Sequence, residues 1–189
     1  MDRTMIYCIQ DDGFDFQRLD LMLDDVIDAR PDDISEDDVL DFSQTNCRMV
    51  DWWPAPDTAF ISESGGKSDP IPDISKWIDA SLVLSPRAYR LLGATLEKWG
   101  ELLPVIINGE KFYIFNCHTT GEVDLSQSEK EYFEGEEVGV KKIAFDSGDI
   151  SEKLVFKTPF NSCIEIYCGD RFKSLVEEFA LTGVQFIPI

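Results

Sequence analysis

The stretch SPRAYRLLGATLEKWGELLPVIINGEKFYIFNC, residues 85–117, carries two different periods in succession. Ser85 can accept from the free amides of a first helical turn, and Pro86 has the φ that the first helical position needs. Leu91, Leu92, Leu96 and Trp99 then recur at helical spacing, with Gly100 where a left-handed C-terminal cap is expected. The reading is a helix over 86–99. Beyond it, Asn108-Gly109 supplies the two positive-φ residues of a type I′ turn between the β-rich runs 103–107 and 111–117, which predicts a hairpin.

Outward from this unit, short apolar runs predict strands at 5–9, 142–145, 153–156 and 163–168. A second helix is expected over 170–180, with Phe172, Leu175, Val176 and Phe179 on one side, and Gly183 precedes a last strand over 184–187. Strands, helix, hairpin, strands, helix and strand in that order give an α+β fold with a mostly antiparallel sheet and two main helices, about 86–99 and 170–180. The 189 residues suit a single domain, 1–189, that buries about 70% of the surface of its unfolded chain.

Two regions depart from this plan. Between Met1 and Asp41 there are fourteen acidic residues against Arg3, Arg18 and Arg30, so the N-terminal part (about 1–50) is strongly acidic. It is still patterned: Leu19 to Ile27 mixes apolar residues with aspartates, and Ser35 with Asp38 has the outline of a capping box before Val39 and Leu40. From about 52 to 74, Pro54, Pro56, Gly65, Gly66, Pro70 and Pro72 make a connector that regular elements do not tolerate. Long connectors are often functional, so Trp52 and Trp53 at its start are candidate contact residues; the alternative is that both cover the core.

Composition narrows the function. Lys and Arg number 17 against 37 Asp and Glu, a formal charge of −20, which repels nucleic acid and anionic membrane surfaces. Aromatics at 12% and apolar residues at 43% exceed what a disordered acidic tail contains. Neither a signal-like start nor a run of about 18 apolar residues is seen, so a cytoplasmic chain is expected. Cys8, Cys47, Cys117, Cys163 and Cys168 form no CxxC pair, and reduced thiols are the simple reading, with Cys163 and Cys168 as core packing.

The motifs that invite chemistry fail on geometry. Ser64-Gly65-Gly66-Lys67-Ser68 ends like a phosphate loop, but Ile61 stands where the first glycine belongs. His118 is the only histidine, and its neighbour Cys117 would point to the opposite strand face. None of the aspartate clusters has calcium-loop spacing. The expectation is therefore no catalytic, cofactor-binding or metal-ligating residue, although a carboxylate pair among 37 acids stays open. What remains is an acidic surface able to steer a basic partner: Asp24, Asp25, Asp28, Asp32, Asp33, Glu36 and Asp37, with Trp52 and Trp53 as anchors.

Leu82-Val83-Leu84-Ser85-Pro86-Arg87-Ala88, Leu103-Pro104-Val105, Asp170-Arg171-Phe172-Lys173 and Leu181-Thr182-Gly183-Val184-Gln185-Phe186 together resemble a bacterial family first catalogued as a domain of unknown function. That family is assigned to the immunity proteins of polymorphic-toxin and type VI secretion systems. The resemblance lies mainly in residues 80–189. It implies a protein that neutralises a cognate toxin or effector by binding it, with no catalytic residue of its own. The charge favours a toxin with a basic surface, such as a nuclease. Two other readings stay open: a small enzyme using carboxylates or His118, which needs a deep pocket, and a non-catalytic acidic regulatory module.

Overall fold

The hairpin turning at Asn108-Gly109 forms the spine of the molecule. In a computed structural model, which describes residues 5–13, 15–62 and 69–189, Asn108 and Gly109 have φ of 52° and 79°, as a type I′ turn requires. The two strands pair without interruption from Gly100↔Cys117 to Ile107↔Glu110.

The elements in chain order are β1 (Ile6–Asp11), β2 (Arg18–Leu19), α1 (Leu23–Asp28), α2 (Glu36–Leu40), α3 (Phe42–Thr45), β3 (Asp57–Thr58), β4 (Phe60–Ile61), β5 (Ile74–Lys76), β6 (Ser81–Leu84), α4 (Pro86–Leu96), β7 (Gly100–Ile107), β8 (Glu110–Cys117), β9 (Glu129–Phe133), β10 (Glu136–Lys142), α5 (Ser147–Ile150), β11 (Val155–Phe156), β12 (Tyr167–Gly169), α6 (Asp170–Glu178) and β13 (Val184–Pro188). They build a five-stranded sheet in the order β3-β7-β8-β6-β5 and a four-stranded sheet in the order β11-β12-β1-β13. Among the described residues, only the β3–β7 strand ladder is parallel. The fold is α+β and mostly antiparallel, with α4 and α6 its longest helices among the described residues.

Both faces of the five-stranded sheet are buried. Leu82, Leu84, Phe115 and Cys117 face a core shared with α4, α6 and the four-stranded sheet. Val83, Leu103, Val105, Ile107, Phe112 and Ile114 face a second core closed by Leu19, Leu21, Phe42 and Met49. Each β strand alternates its side chains between the two, as a period of two demands.

Several boundaries differ from expectation, each for a local reason. Helix α4 starts as read, with Ser85 Oγ accepting from the Ala88 amide at 3.1 Å, but it stops at Leu96. Gly100 is no cap: it is the first residue of β7, where a Cβ would lie 2.0 Å from the Asn116 carbonyl oxygen. The run 163–168 contributes only Tyr167 and Cys168 to β12, because Ser162 and Cys163 both adopt φ of 57° and break the extended chain. The thiols of Cys8, Cys117, Cys163 and Cys168 are nevertheless buried and free. Residues 143–145 leave the strand, Phe145 keeping a single bridge to Val123. The hairpin β9–β10 was not anticipated, since a segment of alternating Glu, Lys and aromatics has no apolar period. Its one signal is Glu134-Gly135, with φ of 51° and 91°.

The connector 52–74 contains the two-residue strands β3 and β4 and leads into β5. The Ser64–Ser68 motif lies outside the described residues. Among the described residues no helix is long and apolar enough to cross a membrane.

Candidate functional site

The acidic residues singled out above fall on one small helical lobe. Val26, Ile27 and Val39, from α1 and α2, bury their side chains together against Leu23, Ile34, Trp52, Trp53 and Trp77. Only one stripe of each short helix faces that cluster, so the remaining positions are left to solvent. Asp24, Asp25, Asp28, Asp32, Asp33, Glu36 and Asp37 are all exposed.

The local structure accommodates this density of charge. Asp24 and Asp25 sit in the first turn of α1, and Glu36, Asp37 and Asp38 in the first turn of α2, where unpaired amides and the helix dipole favour carboxylates. Asp25 also accepts from the Met22 amide at 3.1 Å. Ser35 occupies the N-cap of α2 as its outline indicated, yet its side chain makes no capping bond. Arg30 is the one base within the lobe. Its guanidinium donates to the carbonyls of Ile27 at 2.7 Å and Ile34 at 3.0 Å, and approaches only Glu36, at 3.6 Å. Among the described residues the aspartates at 24, 25, 28, 32, 33 and 37 face no cation within ion-pair distance, so the lobe presents uncompensated negative charge.

Trp52 and Trp53 sit beneath this lobe rather than on it. Both are half-buried. Trp53 Nε1 donates to the Pro104 carbonyl at 2.7 Å, and its ring meets Trp77 edge-on at 6.2 Å. Trp77 in turn donates to the Leu21 carbonyl at 2.8 Å. The indoles therefore mount the acidic helices on the five-stranded sheet.

Sequence reasoning missed two buried charged groups. Glu101 lies under the segment that leads into the tryptophans: its carboxylate accepts from the Met49 and Val50 amides at 3.1 and 3.0 Å and from Asn116 Nδ2 at 3.0 Å. His118 Nε2 stands 3.4 Å from the same carboxylate, while Cys117 belongs to the opposite core. Burial pushes the Glu101 carboxyl up, but the His118, Met49, Asn116 and Val50 contacts outweigh it and hold the group below the usual range.

The second is Lys157, fully buried between β11 and the Pro159–Asn161 turn, with no hydrogen-bond partner for Nζ among the described residues. Burial pushes its ammonium below the usual lysine range, against the pull of Cys117, Cys163, Asp79 and Glu101. The Cys117 thiol is itself pushed up to about 12 by burial, so it supplies no thiolate near neutral pH. Lys157→Met should therefore raise the unfolding free energy by about 1–3 kcal/mol, the cost of an unsatisfied buried group. A lowered lysine means that the unfolded chain binds more protons between the folded and the ordinary value. Wild-type stability then climbs with pH through that window and the variant's does not. Urea titrations at neutral and alkaline pH check both statements; a variant no more stable than wild type at pH 7 would mean that Nζ is hydrated.

One sizeable cleft, about 790 Å³, opens between β10 and the turn before β12. Its walls are mostly apolar, from Val138, Val140, Ile143, Phe160 and Ile164. The charged groups at its rim are largely engaged in pairs, Lys130 with Glu137, Lys141 with Glu129 and Lys76 with Glu165. Among the described residues no three His, Cys, Asp or Glu side chains are placed to hold a metal ion. No protein-family model matches the chain, and no curated protein is significantly similar to it.

Proposed function

We propose that this chain is an immunity protein that binds a cognate bacterial toxin or effector with a basic surface, in the cytoplasm, and blocks it. The observation that carries this reading is the α1–α2 lobe, where seven exposed carboxylates share a surface whose one arginine is turned onto backbone carbonyls. The resemblance in residues 80–189 supports it from an independent part of the chain. A nuclease toxin must expose a cationic cleft for its substrate, and an acidic lobe of this kind competes for that cleft by the same electrostatics that would bind phosphate. Steering by the lobe raises the association rate more than it lowers the dissociation rate.

The test is growth of a host expressing the toxin domain encoded beside this chain, with and without the chain, followed by co-purification of the pair. Rescue with a stable complex is the expected result; rescue without a complex would point to enzymatic action, and no rescue would end the reading. Exchanging Asp24, Asp25, Asp28, Asp32, Asp33, Glu36 and Asp37 for their amides should slow association about tenfold or more at low salt and flatten its salt dependence. An association rate unchanged by that exchange would remove the lobe from the mechanism.

A further inference from the structure

Among the described residues, the hairpin β9–β10 is a two-stranded sheet that pairs with no third strand. Every residue from Glu131 to Val138 is exposed, including Tyr132 at 62%, Phe133 at 66% and Val138 at 58%. Tyr132 and Phe133, next to the turn, belong to none of the fold's cores, and Val138 stands at the cleft. An isolated hairpin is marginal by itself, and this one is tied down mainly through its inner face.

The register separates the two faces. Tyr132 opposes Glu137 and Lys130 opposes Val140, so these four share a face, and Lys130 lies over the Phe160 ring at 4.6 Å while pairing with Glu137. That face meets the body of the protein near its base and runs out into solvent at Tyr132. On the other face, Phe133 opposes Glu136 and Glu131 opposes Gly139. At Gly139 an added Cβ would meet only the Glu131 carboxylate, at 4.0 Å, so the backbone there is open to approach. Val138 is the extra residue of a bulge between Glu137 and Gly139 and stands at the cleft described above. Glu131, Glu134 and Glu136 have no ion pair among the described residues. The result is a hairpin tip with one aromatic ring on each face and an acidic rim beside Phe133.

That arrangement is how energetically dominant patches are built: aromatic anchors surrounded by polar groups that keep water out once a partner is seated. The rim decides the occupant. A second copy of a chain with charge −20 would bring its own carboxylates against Glu131, Glu134 and Glu136, and phosphate-bearing surfaces are repelled in the same way. A basic protein surface with an apolar recess is the complement.

We propose that the tip of the β9–β10 hairpin is the anchor for a basic protein partner: it inserts into a recess on that partner, Tyr132 meeting one wall and Phe133 the opposite wall, while Glu131, Glu134 and Glu136 pair with cations around it. The proposal rests on the toxin-binding reading for the partner's identity and divides the labour: the α1–α2 lobe governs association, and the hairpin governs residence.

The full chain and its variants are to be measured by surface plasmon resonance on the immobilised toxin domain encoded beside it. Tyr132→Ala with Phe133→Ala should accelerate dissociation about 30- to 100-fold, a change of hot-spot size, and leave the association rate within about threefold. Because both side chains are exposed, the melting temperature should stay that of wild type. Glu131→Gln, Glu134→Gln and Glu136→Gln together should accelerate dissociation about tenfold. If wild type binds and the aromatic variant dissociates at the wild-type rate, the hairpin is not the anchor and the immunity reading stands without it. If wild type fails to bind, both fall. Sedimentation that finds a dimer which Phe133→Ala dissolves would put a second copy on the hairpin and overturn the proposal.

Discussion

Glu101→Ala is expected to lower the unfolding free energy by about 3–5 kcal/mol, the range for removing one member of a buried charged network. The carboxylate is 7% exposed and accepts from three donors, the Met49 and Val50 amides and the Asn116 side chain, with His118 beside it. Alanine leaves those donors facing a dry space and opens a cavity beneath residues 47–50. Glu101→Gln keeps the volume but turns an amide group onto backbone amides, so about 1–3 kcal/mol is expected from it. The effect has a pH signature. The folded carboxyl lies below its ordinary value of about 4.3, so its contribution is complete above that value and disappears as pH falls through the lower, folded one. The gap between wild type and Glu101→Gln should therefore be constant from neutral pH down to the ordinary glutamate range and close below it. Urea titration at stepped pH checks this, and a gap that does not depend on pH would assign the loss to packing alone. Limited proteolysis offers a second readout: cleavage between residues 42 and 53 should appear first, because Glu101 fixes the segment that carries Trp52 and Trp53 under the acidic lobe.

The elements most legible in the sequence are those whose local chemistry has one solution. Asn108-Gly109 permits the type I′ turn that forms, Ser85-Pro86 starts α4, and the Phe172 and Val176 spacing buries one side of α6. Boundaries were lost where a residue has two uses. Gly100 reads as a cap but is required by the close approach of β8, and the tryptophans, legible either as contact residues or as core cover, brace the lobe from below. The β9–β10 hairpin escaped altogether, because alternation marks a strand only when one face is buried, and this hairpin's outer face meets solvent. The acids of the lobe were legible as composition. Their gathering onto one helical lobe was not, since it follows from α1 and α2 closing over Val26, Ile27 and Val39. Glu101 and Lys157 were invisible for the reason that buried charged residues are rare.

Gly183→Ala should cost about 2–6 kcal/mol, through two additive causes. Its φ is +104°, beyond the left-handed region that L residues visit, and backbone strain of this kind costs about 1–3 kcal/mol. A Cβ there would also lie 2.3 Å from both the Ile74 carbonyl oxygen and Pro72 Cβ, and relieving such overpacking costs about 1–3 kcal/mol more. Neither neighbour is the end of a flexible side chain. The Ile74 amide donates to the Thr182 carbonyl at 2.9 Å, and the Asp12 amide donates to that of Gly183 at 2.9 Å, so a shift at residue 183 propagates into β1 and β5. The same junction holds Asp73, whose carboxylate receives the Thr182 amide at 3.2 Å and the Arg87 guanidinium at 2.8 Å, while Arg87 also donates to the Phe179 carbonyl. Two of the blocks that carry the family resemblance, 82–88 and 181–186, are thus joined through Asp73, which gives those residue types a structural reason. Calorimetry should show a fall of about 4–24 °C, at about 2–4 °C per kcal/mol for a chain of this size. Under the proposed function, partner binding by the surviving folded fraction should be unchanged, because residue 183 belongs to neither the α1–α2 lobe nor the β9–β10 hairpin. A loss below about 1 kcal/mol would mean that β13 can shift as a unit, and that the pairing of β1 with β13 is looser than its five-residue register implies.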